Sequence, residues 1–425
     1  MDLSKPIEQK EKKKQKRKVV ENSHEENRKL ENEKTNKKKK DHKNRRKDNK
    51  IEPETTNENS KGQVDGPNEN ECIAEKQQTT NLEENNSKEV SSTTNDSSNV
   101  KLDRYGWFLS DKPISKEEEK LTKKEAEKEC ERSMKWDHMI KNWYHWSKKK
   151  MKVIFRRVEK GIPDAIRFEV WRLLLDSNHY RELYPKTMED LLAEGENQSY
   201  SQIDRDLNRT FPQIGFFSQP AFIESLRHVL YCYSHVDPET EYTQGIGFLA
   251  GMLLVYMDEE NAFYCLISLM MGKKINHRGY FLDLFPRLQR SNAMLMVLIK
   301  KKCPEIIEYF GDDPSSLSVF TTSWFLTAFQ SFNFQPEFQI RIFERFLMYG
   351  TRFLISFGIT IIMFHRNLFK KLQFEDVLHL LQHPDESEKM QNWHSFLELL
   401  NKEMLSVKKY ESLIVKSGGK VEEFD

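Results

Sequence analysis

The 425-residue chain is 32% charged and 37% hydrophobic, with a formal net charge of +1 and a mean hydropathy of -0.78. That average is too polar for one globular body, so only part of the chain is expected to form a core. Five widely spread cysteines, with no C-x-x-C pair and no histidine at zinc-finger spacing, argue against a disulfide framework or structural zinc and for a reducing compartment.

Residues 1–50 carry 20 Lys or Arg against 10 Asp or Glu, and residues 51–100 carry 3 against 11. No Phe, Trp or Tyr precedes Tyr105. Neither segment can bury enough apolar surface to offset the entropy of ordering it, so a disordered arm, basic then acidic, is expected over residues 1–102. Its lysine and arginine runs lack interleaved aromatics and read as a solvated tail, with no specific nucleic acid expected. The N-terminus is charged from Asp2 onward and shows no apolar signal-peptide core.

Order is expected from Asp103-Arg-Tyr-Gly-Trp-Phe108 into a helical leader over residues 103–156. Within it, Trp136, Met139, Ile140, Trp143 and Trp146 give a charged helix from about Lys116 to Lys141, and its continuation, an apolar stripe for docking. Gly161-Ile-Pro163 then announces a helix in which Ile166, Val170, Trp171 and Leu174 share a face, with Pro163 suited to its first position. Arg167, one turn in, reads as a packing or ion-pair residue.

Ile203 to Pro212 packs Asp204, Arg205, Asp206 and Arg209 into a short charged helical turn that ends at Thr210-Phe211-Pro212. At i and i+3, Asp206 is expected to hold the Arg209 guanidinium in one orientation. A helix over residues 216–233 follows, then a loop ending Tyr242-Thr-Gln244-Gly245. Gly245 and Gly247 are expected to interrupt helix formation, which places Gln244 on the loop just before a buried helix. Helices are then expected over residues 260–271, 288–301, 318–331, 337–349, 352–369, 374–381 and 388–405, with no period-2 strand pattern, so the fold class is all-α, as two packed helical halves. The longest apolar runs are 12 residues each, against the ~20 that a membrane span needs.

No Walker-type phosphate loop, G-x-S-x-G, H-E-x-x-H or kinase signature occurs, and the histidines, His277, His365 and His379 among them, read as core or surface residues. What stands out is one arginine next to an acid and one glutamine 35 positions later. Those two side-chain types suit hydrolysis of a GTP γ-phosphate, where a guanidinium neutralises spreading charge and a carboxamide holds the attacking water.

The motifs Gly161-Ile-Pro163 with Arg167 and Trp171, Ile203-x-x-Asp206-x-x-Arg209-Thr210, and Tyr242-x-Gln244-Gly245 together resemble the three signatures of TBC domains, the activating proteins of Rab-type small GTPases. The resemblance covers residues 157–370 and continues through Trp324-Phe325-Leu326 and Arg341-Ile342, with residues 371–425 as completing C-terminal helices. It implies a V-shaped all-helical fold and a dual-finger mechanism. Arg209 is the implied arginine finger and Gln244 the implied glutamine finger; Asp206 orients Arg209, while Ile203, Thr210, Tyr242 and Gly245 fix the two loops. The implied partner is a GTP-bound Rab-type GTPase, which itself holds the GTP and Mg2+, so no cofactor of the chain's own is expected and the chain acts as an activator rather than an enzyme. The expected location is cytoplasmic, peripheral on endomembranes or the plasma membrane. A catalytically silent scaffold of the same shape is the alternative. Two departures stand out: Ile246-Gly247 where the family often has Met-Asn, expected to loosen the start of that helix, and Phe343-Glu344 where many members carry Trp-Asp.

Overall fold

A computed structural model describes residues 116–421 apart from 185, 212–216 and 218, with side chains from residue 126 onward. The expected arm over residues 1–102 and the Asp103–Phe108 segment lie outside the described residues. Among the described residues every regular element is helical, as the apolar spacing predicts.

The leader helix α1 spans Lys116–Lys141 and buries Trp136 and Met139, so the stripe read from the sequence is the docking face. Short helices α2 (Trp143–Lys149) and α3 (Met151–Lys160) carry the chain into α4 (Asp164–Leu175). Pro163 is the residue before α4 rather than its first, with φ of -59° already set for entry. Helices α5 (Ser177–Leu183), α6 (Met188–Ala193) and α7 (Tyr200–Leu207) lead to α8 (Pro220–Val236), α9 (Ile246–Leu254) and α10 (Glu259–Met271). Helix α8 packs on α6, α7, α9 and α10, and this group forms one part of the core.

The other part is built from α11 (Pro286–Lys302), α12 (Glu305–Phe310), α13 (Ser318–Leu326), α14 (Pro336–Tyr349), α15 (Thr351–Phe369), α16 (Phe374–Gln382), α17 (Trp393–Glu403) and α18 (Val407–Lys416). Helix α15 is its axis, packed on α11, α14 and α17, and most of its side chains are buried. A helix apolar on nearly every side can be stable in water only in such a central position. Helix α14 joins the two parts, since it contacts α3 and α4 on one side and α15 on the other.

Three expected boundaries move. The helix expected over residues 216–233 starts at Pro220, where proline serves as a first-turn residue, and runs to Val236. The helix expected over residues 318–331 stops at Leu326, because Ala328 and Phe329 adopt positive φ in a turn that buries both. The segment 388–405 opens as a 3-10 turn, Glu388–Asn392, and becomes α-helical only at Trp393, where the Asn392 side chain accepts from the Ser395 amide.

Candidate functional site

Helix α7 forms because Tyr200, Ile203 and Leu207 turn inward while Asp204 and Arg205 face solvent. It stops at Leu207, and the next residues form a turn that still bonds backwards. The Arg209 amide donates to the Asp206 carbonyl at 3.0 Å and the Thr210 amide to the Leu207 carbonyl at 3.2 Å. The buried Thr210 hydroxyl donates to the Asp206 carbonyl at 3.1 Å. Phe211 then takes a φ of +53°, and its buried ring packs on Phe217 and Phe248, with centroids 4.4 and 5.1 Å away. Gly251 leaves room for this anchor, since a Cβ there would stand 3.0 Å from both the Phe211 and the Phe217 ring. Arg209 is left exposed on a turn pinned from behind.

The expected Asp206–Arg209 ion pair is not formed. Asp206 lies on the inward face of α7 with Ile203 and Leu207, while Arg209, just past the helix end, faces solvent. The buried Asp206 carboxylate instead faces inward and accepts from the Tyr242 hydroxyl at 3.3 Å. Among the described residues nothing is hydrogen-bonded or ion-paired to the Arg209 side chain. Asp206 is thus tied to the Arg209 turn through its backbone carbonyl and to Tyr242 through its carboxylate.

Tyr242 belongs to the second turn. Its amide donates to the Ser199 hydroxyl at 3.2 Å, so the turn is fastened to the start of α7 as well as to Asp206. Burial, then the Asp206 charge, raises the Tyr242 phenol far above its ordinary range, which keeps the donating proton in place. Gln244 is exposed on the same turn. Gly245 caps α9 with φ of +113°, a conformation that only glycine adopts without strain. Gly247 does not interrupt the helix but lies inside α9. A Cβ there would meet the Thr210 hydroxyl at 3.0 Å and the Tyr242 hydroxyl at 3.5 Å. The space that a side chain would take is thus filled by the Arg209 turn and Tyr242, and the expected loosening gives way to close packing between the two turns.

Sequence reasoning missed the clamp beneath the second turn. The buried Asp237 carboxylate accepts from Arg278 Nε and Nη2, both at 2.7 Å, from the Tyr233 hydroxyl at 2.9 Å and from the Thr240 hydroxyl at 2.6 Å. Burial by itself would raise its pKa, but the bonds from Arg278, Thr240 and Tyr233 outweigh it and hold the carboxyl below its ordinary value. Arg278 lies on a 3-10 turn 41 residues away in the chain, and only the fold brings it to Asp237.

Gly161, Pro163, Arg167 and Trp171 form a separate structural node. Arg167 Nε donates to Glu344 Oε1 at 2.9 Å, the Ile162 amide donates to Glu344 Oε2 at 3.4 Å, and Arg167 also pairs with Asp164. Trp171 packs edge-on against Tyr256 and Phe343, with centroids 5.1 and 5.0 Å away. The Phe343-Glu344 departure thus falls where an aromatic ring and a carboxylate tie α14 to α4.

A family model described as the Rab-GTPase-TBC domain matches residues 164–370. The chain is 29% identical over 255 residues to the human ecotropic viral integration site 5 protein homolog, covering 58% of this chain and 30% of that protein. It is 31% identical over 229 residues to TBC1 domain family member 2A of Mus musculus, covering 52% and 24%. It is 30% identical over 251 residues to the Rab GTPase-activating protein eat-17 of Caenorhabditis elegans, covering 58% and 27%. The chain thus spans less than a third of the length of each of these relatives. Its fold is similar to the crystal structure of the Ypt/Rab-GAP domain of Gyp1p, with a TM-score of 0.53 and 18% identity over 65% of this chain and 97% of that one. It also matches the Chlamydomonas flagellar RabGAP TBC domain, with a TM-score of 0.52 and 19% identity over 72% and 99%. Residues 164–370 of this chain form a Rab-GTPase-TBC domain.

Proposed function

We propose that this chain activates a GTP-bound Rab-type small GTPase by supplying Arg209 and Gln244 in trans to the GTPase active site. The observation that carries the reading is the linkage of two exposed side chains through buried scaffolding: Arg209 and Gln244 stand on turns joined by the Tyr242–Asp206 hydrogen bond and by the packing of Thr210 on Gly247. Arg209, with no partner among the described residues, keeps all its guanidinium donors for phosphate oxygens. Gln244 offers one carboxamide that can both donate to and accept from a water. The partner brings the nucleotide and its magnesium, so this chain contributes charge neutralisation and positioning, the two effects that dominate phosphoryl transfer.

A single-turnover phosphate-release assay on a panel of GTP-loaded Rab proteins tests this. An arginine supplied in trans is worth roughly 10³ to 10⁵ in rate, so Arg209→Ala should lose nearly all stimulation. Arg209→Lys should fare little better, because an ammonium lacks the planar fork. Gln244→Ala should lose stimulation while retaining binding. Tight binding by the wild type without faster phosphate release on any Rab would replace this reading with a scaffold.

A further inference from the structure

Helices α1 and α3 border a cleft of about 610 Å³ lined by Lys128, Arg132, Lys135, Arg156, Arg157 and Lys160, against a single acid, Glu131. Glu131 pairs with Lys135. No other described residue is hydrogen-bonded or ion-paired to the side chains of Lys128, Arg132, Arg156, Arg157 or Lys160. Arg157 Nε is buried without a hydrogen-bond partner, which is costly for a charged donor unless a ligand completes it. A second cavity of about 280 Å³ shares Lys128, Arg132 and Gly161 with the first and adds Arg341, whose Nη1 is likewise buried and unpartnered. Gly161 lies where the two meet, and a Cβ there would collide with the Arg341 guanidinium. Three acids also line this second cavity, and each is engaged: Glu337 accepts from Arg341 Nη2 at 3.3 Å, Asp164 pairs with Arg167, and Glu129 accepts from the Asp164 amide at 3.2 Å.

We propose that this cleft binds a multiply phosphorylated small ligand of the inositol phosphate class, either free or as the headgroup of a membrane lipid. Five cations with no partner among the described residues line one open cleft and call for several negative charges in a compact body, and guanidinium forks match phosphate oxygens two at a time. The cavity has the size of a small-ligand site, with Trp136 and Val153 as its apolar lining. The site is separate in the chain from Arg209 and Gln244 and goes beyond GTPase activation. Burial, and to a lesser degree the neighbouring Arg156, lowers the pKa of Arg157, as expected of a guanidinium partly withdrawn from water.

The test uses the full chain and the variant Lys128→Gln/Arg132→Gln/Arg156→Gln, in which all three altered side chains are exposed and circular dichroism checks the fold. Calorimetric titration with inositol trisphosphate forms one arm. Co-flotation with phosphatidylcholine vesicles, with and without phosphatidylinositol bisphosphate, forms the other. Wild-type binding that weakens by at least about tenfold in the variant is expected. Binding in both arms marks the phosphate group itself as the ligand; binding to the vesicles alone marks the lipid as its source. Equal binding by wild type and variant, or no binding by the wild type, overturns the proposal. A polyglutamate peptide that displaces the trisphosphate at equal charge concentration also overturns it, in favour of an acidic protein segment.

Discussion

Tyr242 links the two turns through one hydroxyl, and removing that hydroxyl separates what the linkage does from what the finger side chains do. In Tyr242→Phe the ring still fills its buried site, but the Asp206 carboxylate loses the donor at 3.3 Å. A buried acceptor left without its partner costs about 1–3 kcal/mol, so the denaturant midpoint should fall accordingly. Stimulated GTP hydrolysis should fall more steeply than binding to the Rab, since a turn held less firmly presents its side chain in more than one orientation. Unchanged stimulation in Tyr242→Phe would mean that the hydrogen bond has no part in positioning. The position of Gln244 on the loop before α9 was legible in the sequence, because Gly245 marks where the helix begins, whereas Arg209, expected on the helical turn itself, follows its end. The way Asp206 is used was not legible. A spacing of i and i+3 predicts contact only where both side chains stay on one face, and here Asp206 is turned into the core while Arg209, past the end of α7, is exposed.

At the scale of elements, the loop from Asp237 to Gly245 owes its shape to one buried carboxylate. Asp237 closes the end of α8, and Arg278 reaches it from a 3-10 turn after α10. Breaking a buried pair by removing one partner typically costs 3–5 kcal/mol; because Arg278 retains some exposure, Asp237→Asn should cost roughly 2–3 kcal/mol in urea unfolding. The same variant should reduce GTPase stimulation by a Gln244-dependent route, seen as little further loss when Gln244→Ala is added. Fully additive losses would instead place Asp237 outside the positioning of that turn. Long helices such as α14 and α15 were legible nearly to the residue, because apolar periodicity and flanking Gly or Pro both mark them. The short helices α5, α6 and α12, each of six or seven residues, were not, since so few residues carry no measurable period. The Asp237–Arg278 clamp was invisible for a different reason: it is a tertiary contact between two charged residues that each look like ordinary loop surface.

For the whole molecule, two histidines buried in the core set an acid limit. His277 is fully buried among Tyr280, Phe281 and Phe346, donates through Nε2 to the Leu326 carbonyl at 3.0 Å, and leaves Nδ1 without a partner. Burial, and to a lesser degree the facing Arg287, lowers its pKa to about 3. His365 is buried between the Ile361 carbonyl and the Ser387 hydroxyl, and burial, with Lys389 adding to it, lowers its pKa to about 4. Unfolded, both titrate near 6.5. Between about pH 4 and 6.5 the unfolded chain therefore binds more protons than the native one, and stability rises with pH through that window. The contribution is complete above about 6.5 and is lost as pH falls toward the native values, with a limiting slope of about 1.4 kcal/mol per pH unit for each histidine. Asp237, held below its ordinary carboxylate value, keeps its contribution until lower pH, so the two effects separate on the pH axis. His277→Gln keeps an amide donor for Leu326 and removes one titration. Its urea midpoint should fall less between pH 6.5 and 4.5 than that of the wild type, whatever the offset in stability at pH 7; parallel curves would rule out His277 as a source of the acid lability. His277 adjoins Arg278 on one 3-10 turn, so protonation would put a charge into an apolar site beside the clamp that holds the Gln244 loop. Because the native His277 value of about 3 lies well below mildly acidic pH, the folded protein keeps the imidazole neutral there, and GTPase stimulation should fall only in step with the folded fraction.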